Sequence, residues 1–509
     1  MEMFISAILS DLTSRSISFL IDKCSRPAAA AATPEEALNS LQRLLLRVHV
    51  VVEEAEQRHI TNQAMLLQLS QIRKEMYRGY HTLDDFRCRD HKGQPAVAMS
   101  PSSTPSRFNL NPAKRLCFRS GSINSSEHER LHQVLGRLEA TIRNASELVV
   151  LLIGCPRRCR QPYSMYLLLD NCMFGRQMEM EQVMEFLLRE EVPFDGIGRR
   201  DPGVLPIVGR GRVGKSTLIE HACKDERVRD KFSKIMHFSQ NSIIDERMVG
   251  TLGDCDVVKH CSGGAIGEAK ILLIIEVTGD IDEDVWRKLY SDCKHHTASG
   301  SKIIVASRSD KIARFGTTQA LKVERFTPEM YWYFFKVRTF GSTDTEGHPK
   351  VVSIAMDLAR EMNGCFFNAS VYSGLLKANF DANFWGMALA CVREFKRMNP
   401  LIFAADFVDY WQVVNPIIFW SANYTSSEYF VILDFYQTSS VQDSAQIEGP
   451  QLTIRDLIFG NNVRPRGRFR VLAWRSDIPP HYSYMMNCEV RRLQRMFCRK
   501  KRSIQQISS

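Results

Sequence analysis

A glycine-rich stretch near the middle of the 509-residue chain has the residue types and the spacing that hold phosphate groups. It reads GRGRVGKST, from Gly209 to Thr217, and a predicted strand, VLPIV, leads directly into it. Glycines let successive backbone amides turn toward one point, and the helix predicted to follow adds the positive end of its dipole. The pattern G-x-x-x-x-G-K-[ST] between a strand and a helix therefore predicts a P-loop that binds a nucleotide.

The side chains of this loop have distinct expected roles. We expect Lys215 to reach the outer phosphates and Ser216 to offer its hydroxyl to a magnesium ion. The alternative is a glycine-rich turn that binds nothing, and Pro206 is a departure because it removes a ladder donor from the predicted strand. The residues predicted to contact the nucleotide are Gly209, Arg210, Gly211, Arg212, Val213, Gly214, Lys215, Ser216 and Thr217.

An acidic group is needed beside the Ser216 hydroxyl to hold magnesium, and the run KILLIIEV supplies one candidate. Its predicted strand ends at Glu276, whose carboxylate is expected at the carboxyl edge of the sheet, where the phosphates would lie. We predict that Glu276 binds magnesium together with Ser216. The alternative is a carboxylate that merely ends a strand. The next acidic residues, which we interpret as a solvated turn, are Asp280, Asp282, Glu283 and Asp284.

Strands alternating with helices must position these residues. The runs GVLPIVG, KIMHFSQ, KILLIIEV and SKIIVASR are apolar almost throughout, which is typical of strands buried on both faces. Such strands, separated by helical patterns, predict a parallel sheet covered by helices. We therefore expect a central α/β P-loop domain over residues 173–325.

Helical patterns precede this domain. From Pro34 onward apolar residues recur every three or four positions, and similar runs cover 65–76 and about 127–152. The N-terminal segment is amphipathic and lacks the features of a signal peptide. We predict a four-helix bundle over 1–155, with a disordered loop at 90–126 that is rich in proline, serine and asparagine.

Helical patterns return after residue 325 and predict a helical domain over 326–399. Residues 400–509 mix short aromatic, strand-like pieces with turns, without a repeat of fixed period. The chain ends in a basic tail that contributes to the net charge of +10. We expect this tail to be solvated, with a localisation signal or contact with an anionic surface as the alternative.

Cysteine usage and hydropathy bear on the compartment. The 14 cysteines are scattered singly, without the paired spacings of a zinc site, as is typical of a reducing compartment. No window approaches the roughly 20 uninterrupted apolar residues that span a bilayer. We therefore expect a soluble, cytoplasmic protein, with nuclear or plasma-membrane association as alternatives.

The order of these motifs resembles the NB-ARC region of plant intracellular immune receptors of the coiled-coil (Rx) type, with the grass receptors most similar. The resemblance covers about residues 1–400 and extends loosely to 400–509 as a reduced winged-helix-like region. It identifies 326–399 as an ARC-like domain. In that family a strand ending in two acids follows the P-loop, here LLIIEV, and then a strand ending in arginine, here GSKIIVASR. Arg308 takes the position that reads the outer phosphate, with an ordinary surface arginine as the alternative.

The chain departs from the family pattern at several positions. Val277 replaces the second acid, which organises water in the family, so the resemblance implies weak or absent ATP hydrolysis. Phe366 replaces the proline that packs against the nucleoside, although Gly364 is kept. The C-terminal Met-His-Asp triplet is missing, since Met236-His237-Phe238 belongs to the nucleotide domain.

The N-terminal helices carry a degenerate copy of the family's acidic motif. The segment MYRGYHTLDDF offers Asp84 and Asp85 as residues that dock the bundle on the nucleotide domain. Simple packing between helices is the alternative interpretation.

The resemblance implies an ADP/ATP switch with Mg²⁺ in plant innate immunity. Self-association or binding to other immune receptors would occur through the N-terminal helices. No direct nucleic-acid contact is expected, and membrane contact is an alternative that the sequence does not support. The family's leucine-rich repeat domain is not found, which implies a truncated or helper-type member. The remaining alternatives are an active P-loop ATPase and a scaffold or decoy that no longer cycles.

Overall fold

The computed structural model describes residues 34–92, 125–156, 174–189, 201–211, 213–239, 258–261, 270–341, 343–399, 417–419, 428–439, 451–459, 467–475 and 482–492. By its contacts the chain divides into two compact units. The first comprises Met1–Met165, Thr327–Arg360 and Phe380–Trp385, and the second comprises Tyr166–Phe326, Glu361–Asn379 and Gly386–Ser509. The predictions made for residues 1–33, for most of the loop at 90–126, for Arg212 and for the tail beyond Arg492 lie outside the described residues.

The α-helices of the described residues are α1 (Pro34–Glu56), α2 (Gln63–Lys92), α3 (Ser125–Asn144), α4 (Ser146–Ile153), α5 (Gln177–Leu188), α6 (Lys215–Lys224), α7 (Glu226–Lys231), α8 (Glu283–His296), α9 (Pro328–Phe340), α10 (Pro349–Met362), α11 (Phe366–Ala378), α12 (Ala382–Met398) and α13 (Ile454–Phe459). The strands are β1 (Gly203–Val208), β2 (Lys234–Ser239), β3 (Val258–Cys261), β4 (Ile271–Glu276), β5 (Lys302–Ser307), β6 (Leu321–Lys322), β7 (Ile417–Phe419), β8 (Glu428–Ser439), β9 (Gln451–Thr453), β10 (Arg468–Arg475) and β11 (Tyr482–Arg492).

In the first unit, α1, α2 and α3 pack together through the apolar faces that their sequences predict. Pro34 and two glutamates open α1, which suits a first helical turn. At Gly79 of α2 a Cβ atom would lie 2.6 Å from the Leu45 side chain, so the missing side chain allows α1 to approach closely. The helix predicted over about 127–152 is in fact two helices, because Ala145 interrupts it between α3 and α4. The buried side chains at this core include Leu41, Leu45, Val48, Val52, Leu69, Met76, Leu131 and Leu138.

The acidic pair of α2 lies against α9 and α10. Asp84 accepts hydrogen bonds from Trp332 Nε1 at 2.9 Å and from Lys336 Nζ at 2.8 Å. Asp85 pairs with Arg360 at 3.2 Å. The sequence-based prediction that these acids dock on the nucleotide domain is therefore corrected, because their partners belong to the helices that follow that domain.

The second unit contains a six-stranded sheet in the order β3-β2-β4-β5-β1-β6. All neighbours pair in parallel except β2 and β3, which are antiparallel. Apolar clusters lie on both faces, one including Leu218 of α6 and the other including Trp286 of α8. The predicted parallel α/β domain is confirmed, whereas β3 and β6 were not predicted because they are too short for a periodic signal.

Pro206 is accommodated by the register of the central strand β1. It pairs with Val305 of β5, and β6 pairs only from Ile207 onward. The N–H that proline lacks is therefore at a position where β6 does not pair with β1, so no hydrogen bond between these two strands is lost.

The described part of residues 400–509 forms a five-stranded sheet in the order β7-β8-β11-β10-β9, with α13 as its one described helix. Strands β8 and β11 are antiparallel over their whole length, from Glu428 opposite Arg492 to Ser439 opposite Tyr482. This differs from the predicted winged-helix-like region, which would be built mainly of helices. The correction has a physical reason: the pairing joins strands far apart in sequence, and local patterns do not encode such pairing.

Candidate functional site

The P-loop lies between the end of β1 and the start of α6. The Gly209 amide donates to the Ser307 carbonyl at 3.2 Å, which ties the loop to β5. A Cβ atom at Gly209 would lie 2.3 Å from the Val323 carbonyl oxygen, so only glycine fits there. Gly214 adopts a left-handed conformation, with φ 94°, immediately before α6. These constraints place the first amides of α6 at the carboxyl edge of the parallel sheet.

Lys215 begins α6 and folds back over its own loop. Its ammonium group donates to the carbonyls of Gly209 and Arg210, the latter at 2.9 Å. The pKa of Lys215 is lowered to about 8, mainly by burial and secondly by repulsion from Arg308, whereas Glu276 opposes the shift. A phosphate group beside this ammonium would restore its ordinary preference for the charged form.

The two residues predicted to hold magnesium meet in the structure. Ser216 Oγ donates to Glu276 Oε2 at 2.9 Å, although the two residues are 60 positions apart in sequence. A hydroxyl and a carboxylate are the hard oxygen donors that Mg²⁺ prefers, so the residues present fit the ion that the fold implies. In the described parts of the chain no group of three or more His, Cys, Asp and Glu side chains could hold a metal ion. A cation at Ser216 and Glu276 would therefore complete its coordination with phosphate oxygens and water.

The other residues singled out in the sequence differ in their burial and in their distance from Ser216 and Glu276. Arg308 directly follows β5 and is close enough to lower the pKa of Lys215. Thr217 is half-buried in the first turn of α6, whereas Arg210 is exposed. The Val277 amide donates to the Ala306 carbonyl at 2.9 Å, and the Val277 side chain packs against the apolar cluster that includes Trp286. The position of the family's second acid is thus partly buried, at the edge of this cluster.

Arg176, which precedes α5, was missed by the sequence analysis. It donates to the carbonyls of Val213, at 3.3 Å, and Glu324, and it pairs with Glu179 at 2.6 Å. Its guanidinium also lies 4.8 Å from the centre of the Phe326 ring. Arg176 therefore links the P-loop to the segment after β6. The signal that could have found it is the Phe-Gly-Arg sequence immediately before a helical pattern.

An aromatic cluster lies beside this arginine. Phe326 meets Phe174 edge to face at 5.7 Å between ring centres, and it meets Phe366 at 4.8 Å. Phe366, which replaces the family's proline, thus packs against the Phe326 ring. Rings in such a group can offer faces or edges to a planar nucleobase.

His237 was noted in the sequence only as a misplaced part of a triplet. In the structure its Nε2 lies 3.6 Å from Glu276 Oε2. The signal for it is a single histidine among the apolar residues at the centre of strand β2.

The order of the sheet, the loop after β1 and the acid at the end of β4 define the central domain as a P-loop nucleotide-binding fold. Residues 8–120 match the family model described as the Rx N-terminal domain. Together with the relatives described next, these features support a similarity-based assignment to the coiled-coil type of plant disease-resistance NLR proteins.

Three curated relatives support this assignment. The chain is 21% identical over 365 residues to disease resistance protein RGA2 of Solanum bulbocastanum, which covers 69% of this chain and 35% of that protein. It is 25% identical to the putative disease resistance RPP13-like protein 1 of Arabidopsis thaliana, over 67% of this chain and 33% of that protein. It is also 25% identical to putative disease resistance protein RGA4 of S. bulbocastanum, over 43% of this chain and 23% of that protein. The chain thus spans about a third of the length of the first of these relatives.

Two further observations complete the comparison. One solved structure, of Drosophila ORC bound to DNA, covers 50% of this chain and 74% of that chain at 10% identity. Its TM-score of 0.29 is too low to support an argument about fold. Among the described residues, no helix combines the length and the apolar character needed to cross a membrane.

Proposed function

We propose that this chain binds ADP and ATP with Mg²⁺ and acts as a nucleotide-dependent switch in plant defence. The observation that carries the proposal is the Ser216–Glu276 contact of 2.9 Å at the head of α6, beside the P-loop. Similarity to disease-resistance proteins supports the role in defence.

Each part of the site has a role in this proposal. The loop amides and Lys215 bind the phosphates, and Ser216 and Glu276 hold the magnesium ion, which neutralises phosphate charge when bound. Arg308 reports whether an outer phosphate is present, because it follows β5, which lies between the P-loop strand β1 and the acidic strand β4. ADP and ATP would then favour different states of the protein through this difference in contacts. The aromatic cluster of Phe174, Phe326 and Phe366 provides a surface for the adenine ring.

The N-terminal helices are the proposed signalling part. Large apolar side chains remain exposed there, on α1, α2 and α4. Such side chains are suited to self-association or to contact with another immune receptor. The most exposed among them are Leu46, Leu67, Val150 and Leu151.

The direct test is to identify the nucleotide that remains bound after the full chain is purified. We expect ADP close to one molecule per chain, because a switch must hold its resting nucleotide through purification. Release by acid, followed by chromatography and mass spectrometry, measures both identity and amount. If no nucleotide is retained and added ADP and ATP both fail to bind, the proposed function is wrong.

Hydrolysis is expected to be slow because Val277 has no acceptor that could orient water. Replacing Val277 by aspartate should raise the ATP turnover rate by about tenfold to 100-fold, since a positioned base typically contributes at least that much. Phosphate release at saturating ATP measures the change. The double variant with Glu276→Gln is the control and should return to the slow rate. An unchanged rate in a folded Val277→Asp protein would show that this position does not limit turnover.

A further inference from the structure

His237 and Glu276 share one face of the nucleotide-binding sheet. Strand β2 pairs with β4 so that His237 lies opposite Ile274 and Ser239 lies opposite Glu276. Alternate residues of a strand point to the same side, so the side chain of His237 lies on the face that bears Glu276. Ile235 and Ile274, which also share this face, pack in the cluster that contains Leu218 of α6. The imidazole is thus on the P-loop side of the sheet.

The distances are those of donors arranged around one cation. Ser216 Oγ and the imidazole Nε2 both approach the same carboxylate oxygen, at 2.9 Å and 3.6 Å. Two donors that are each about 2.1 Å from a metal ion are about 3.0 Å apart at a right angle and about 3.6 Å apart at 120°. A cation bound by Glu276 would therefore have the imidazole within reach after a small rotation of either side chain.

Burial also favours this arrangement. The side chains of His237 and Glu276 are only 16% and 22% exposed, so neither is held mainly by water. An imidazole beside a half-buried carboxylate provides a nitrogen donor that an ordinary P-loop magnesium site, made of oxygen atoms, does not need.

We propose that His237 is a third protein ligand of the nucleotide-bound cation and shifts the preference of the site from Mg²⁺ toward Mn²⁺. This inference rests on the proposed function, because the cation binds together with a nucleotide. Mg²⁺ strongly prefers oxygen ligands, whereas imidazole gains affinity for later divalent metals. A mixed set of hydroxyl, carboxylate and imidazole therefore favours Mn²⁺ when both ions are offered.

The test compares ADP affinity of the full chain in Mg²⁺ and in Mn²⁺ for three proteins: the original chain, His237→Gln and His221→Gln. His221 is the matched control, since it lies on α6 and its charged neighbours are Lys224 and Glu220. We expect the original chain and His221→Gln to bind ADP about tenfold more tightly with Mn²⁺, as loss of one ligand or supporting group typically changes metal affinity by 10–100-fold. His237→Gln should bind ADP about equally with the two ions.

Electron paramagnetic resonance of the Mn²⁺–ADP complex gives a second readout. Nitrogen coupling from a coordinated imidazole should be present in the original chain and in His221→Gln, and lost in His237→Gln. If the three proteins show the same metal preference, or if His237→Gln leaves the nitrogen coupling unchanged, the inference is wrong while the proposed function stands. If the original chain binds no ADP with either ion, both are wrong.

Discussion

Replacing Lys215 by alanine is expected to raise the dissociation constant for ADP by about 100-fold or more. The ammonium group lies over the loop, bonded to the carbonyls of Gly209 and Arg210, and is partly withdrawn from water. Removing one partner of a close, desolvated charge pair typically costs about 2–5 kcal/mol, and each 1.4 kcal/mol is about a tenfold change in affinity. The loop amides would remain, so weak binding should persist.

Isothermal titration of the nucleotide-free proteins measures this effect. Lys224→Ala is the matched control, because Lys224 is an exposed lysine in the last turn of the same helix. It should bind ADP as the original chain does. Thermal unfolding provides a second measurement: ADP at about 100 times its dissociation constant stabilises a binding protein by about 2.7 kcal/mol, and Lys215→Ala should lose most of this gain. Equal affinities for the original chain and Lys215→Ala would mean that the phosphates bind elsewhere.

Asp84→Ala is expected to destabilise the first unit by about 3–5 kcal/mol, the usual cost of removing one member of a buried ion pair. The Asp84 side chain is 3% exposed and accepts from two donors, Trp332 Nε1 and Lys336 Nζ. Truncation would leave a half-buried ammonium and a buried indole N–H without this acceptor. The loss should therefore be much larger than that of a surface ion pair.

Urea unfolding followed by tryptophan fluorescence measures this loss, because Trp332 is itself part of the network. Asp357→Ala is the control: it removes the i,i+3 partner of a half-exposed arginine, Arg360, and should cost less than about 1 kcal/mol. Combining Asp84→Ala with Lys336→Met should recover part of the stability, since the uncompensated charge is then gone. A loss in Asp84→Ala no greater than in Asp357→Ala would show that the network contributes little.

Tertiary contacts decided most of what the sequence analysis missed or misplaced. Asp84 was recognised as a candidate docking residue, but its partners lie 248 and 252 positions away, on a helix assigned to another domain. In the sequence His237 was only part of a misplaced triplet, whereas the pairing of β2 with β4 places it beside Glu276. Strand-like pieces were noted in residues 400–509, but their pairing into one sheet was not predicted, because long-range strand pairing depends on which surfaces meet and no local period records that.

The P-loop and Glu276 could be predicted from the sequence by itself, because both depend on short-range rules. Glycines at set spacing permit the loop, a continuous apolar run requires a strand buried on both faces, and an acid at the strand's end must emerge at the carboxyl edge. Only the tertiary structure decided that Ser216 and Glu276 form a hydrogen bond, that Arg176 links the loop to the segment after β6, and that Val277 lies at the edge of an apolar cluster. These contacts depend on how strands are ordered and registered, and that order is set by packing among residues far apart in the chain.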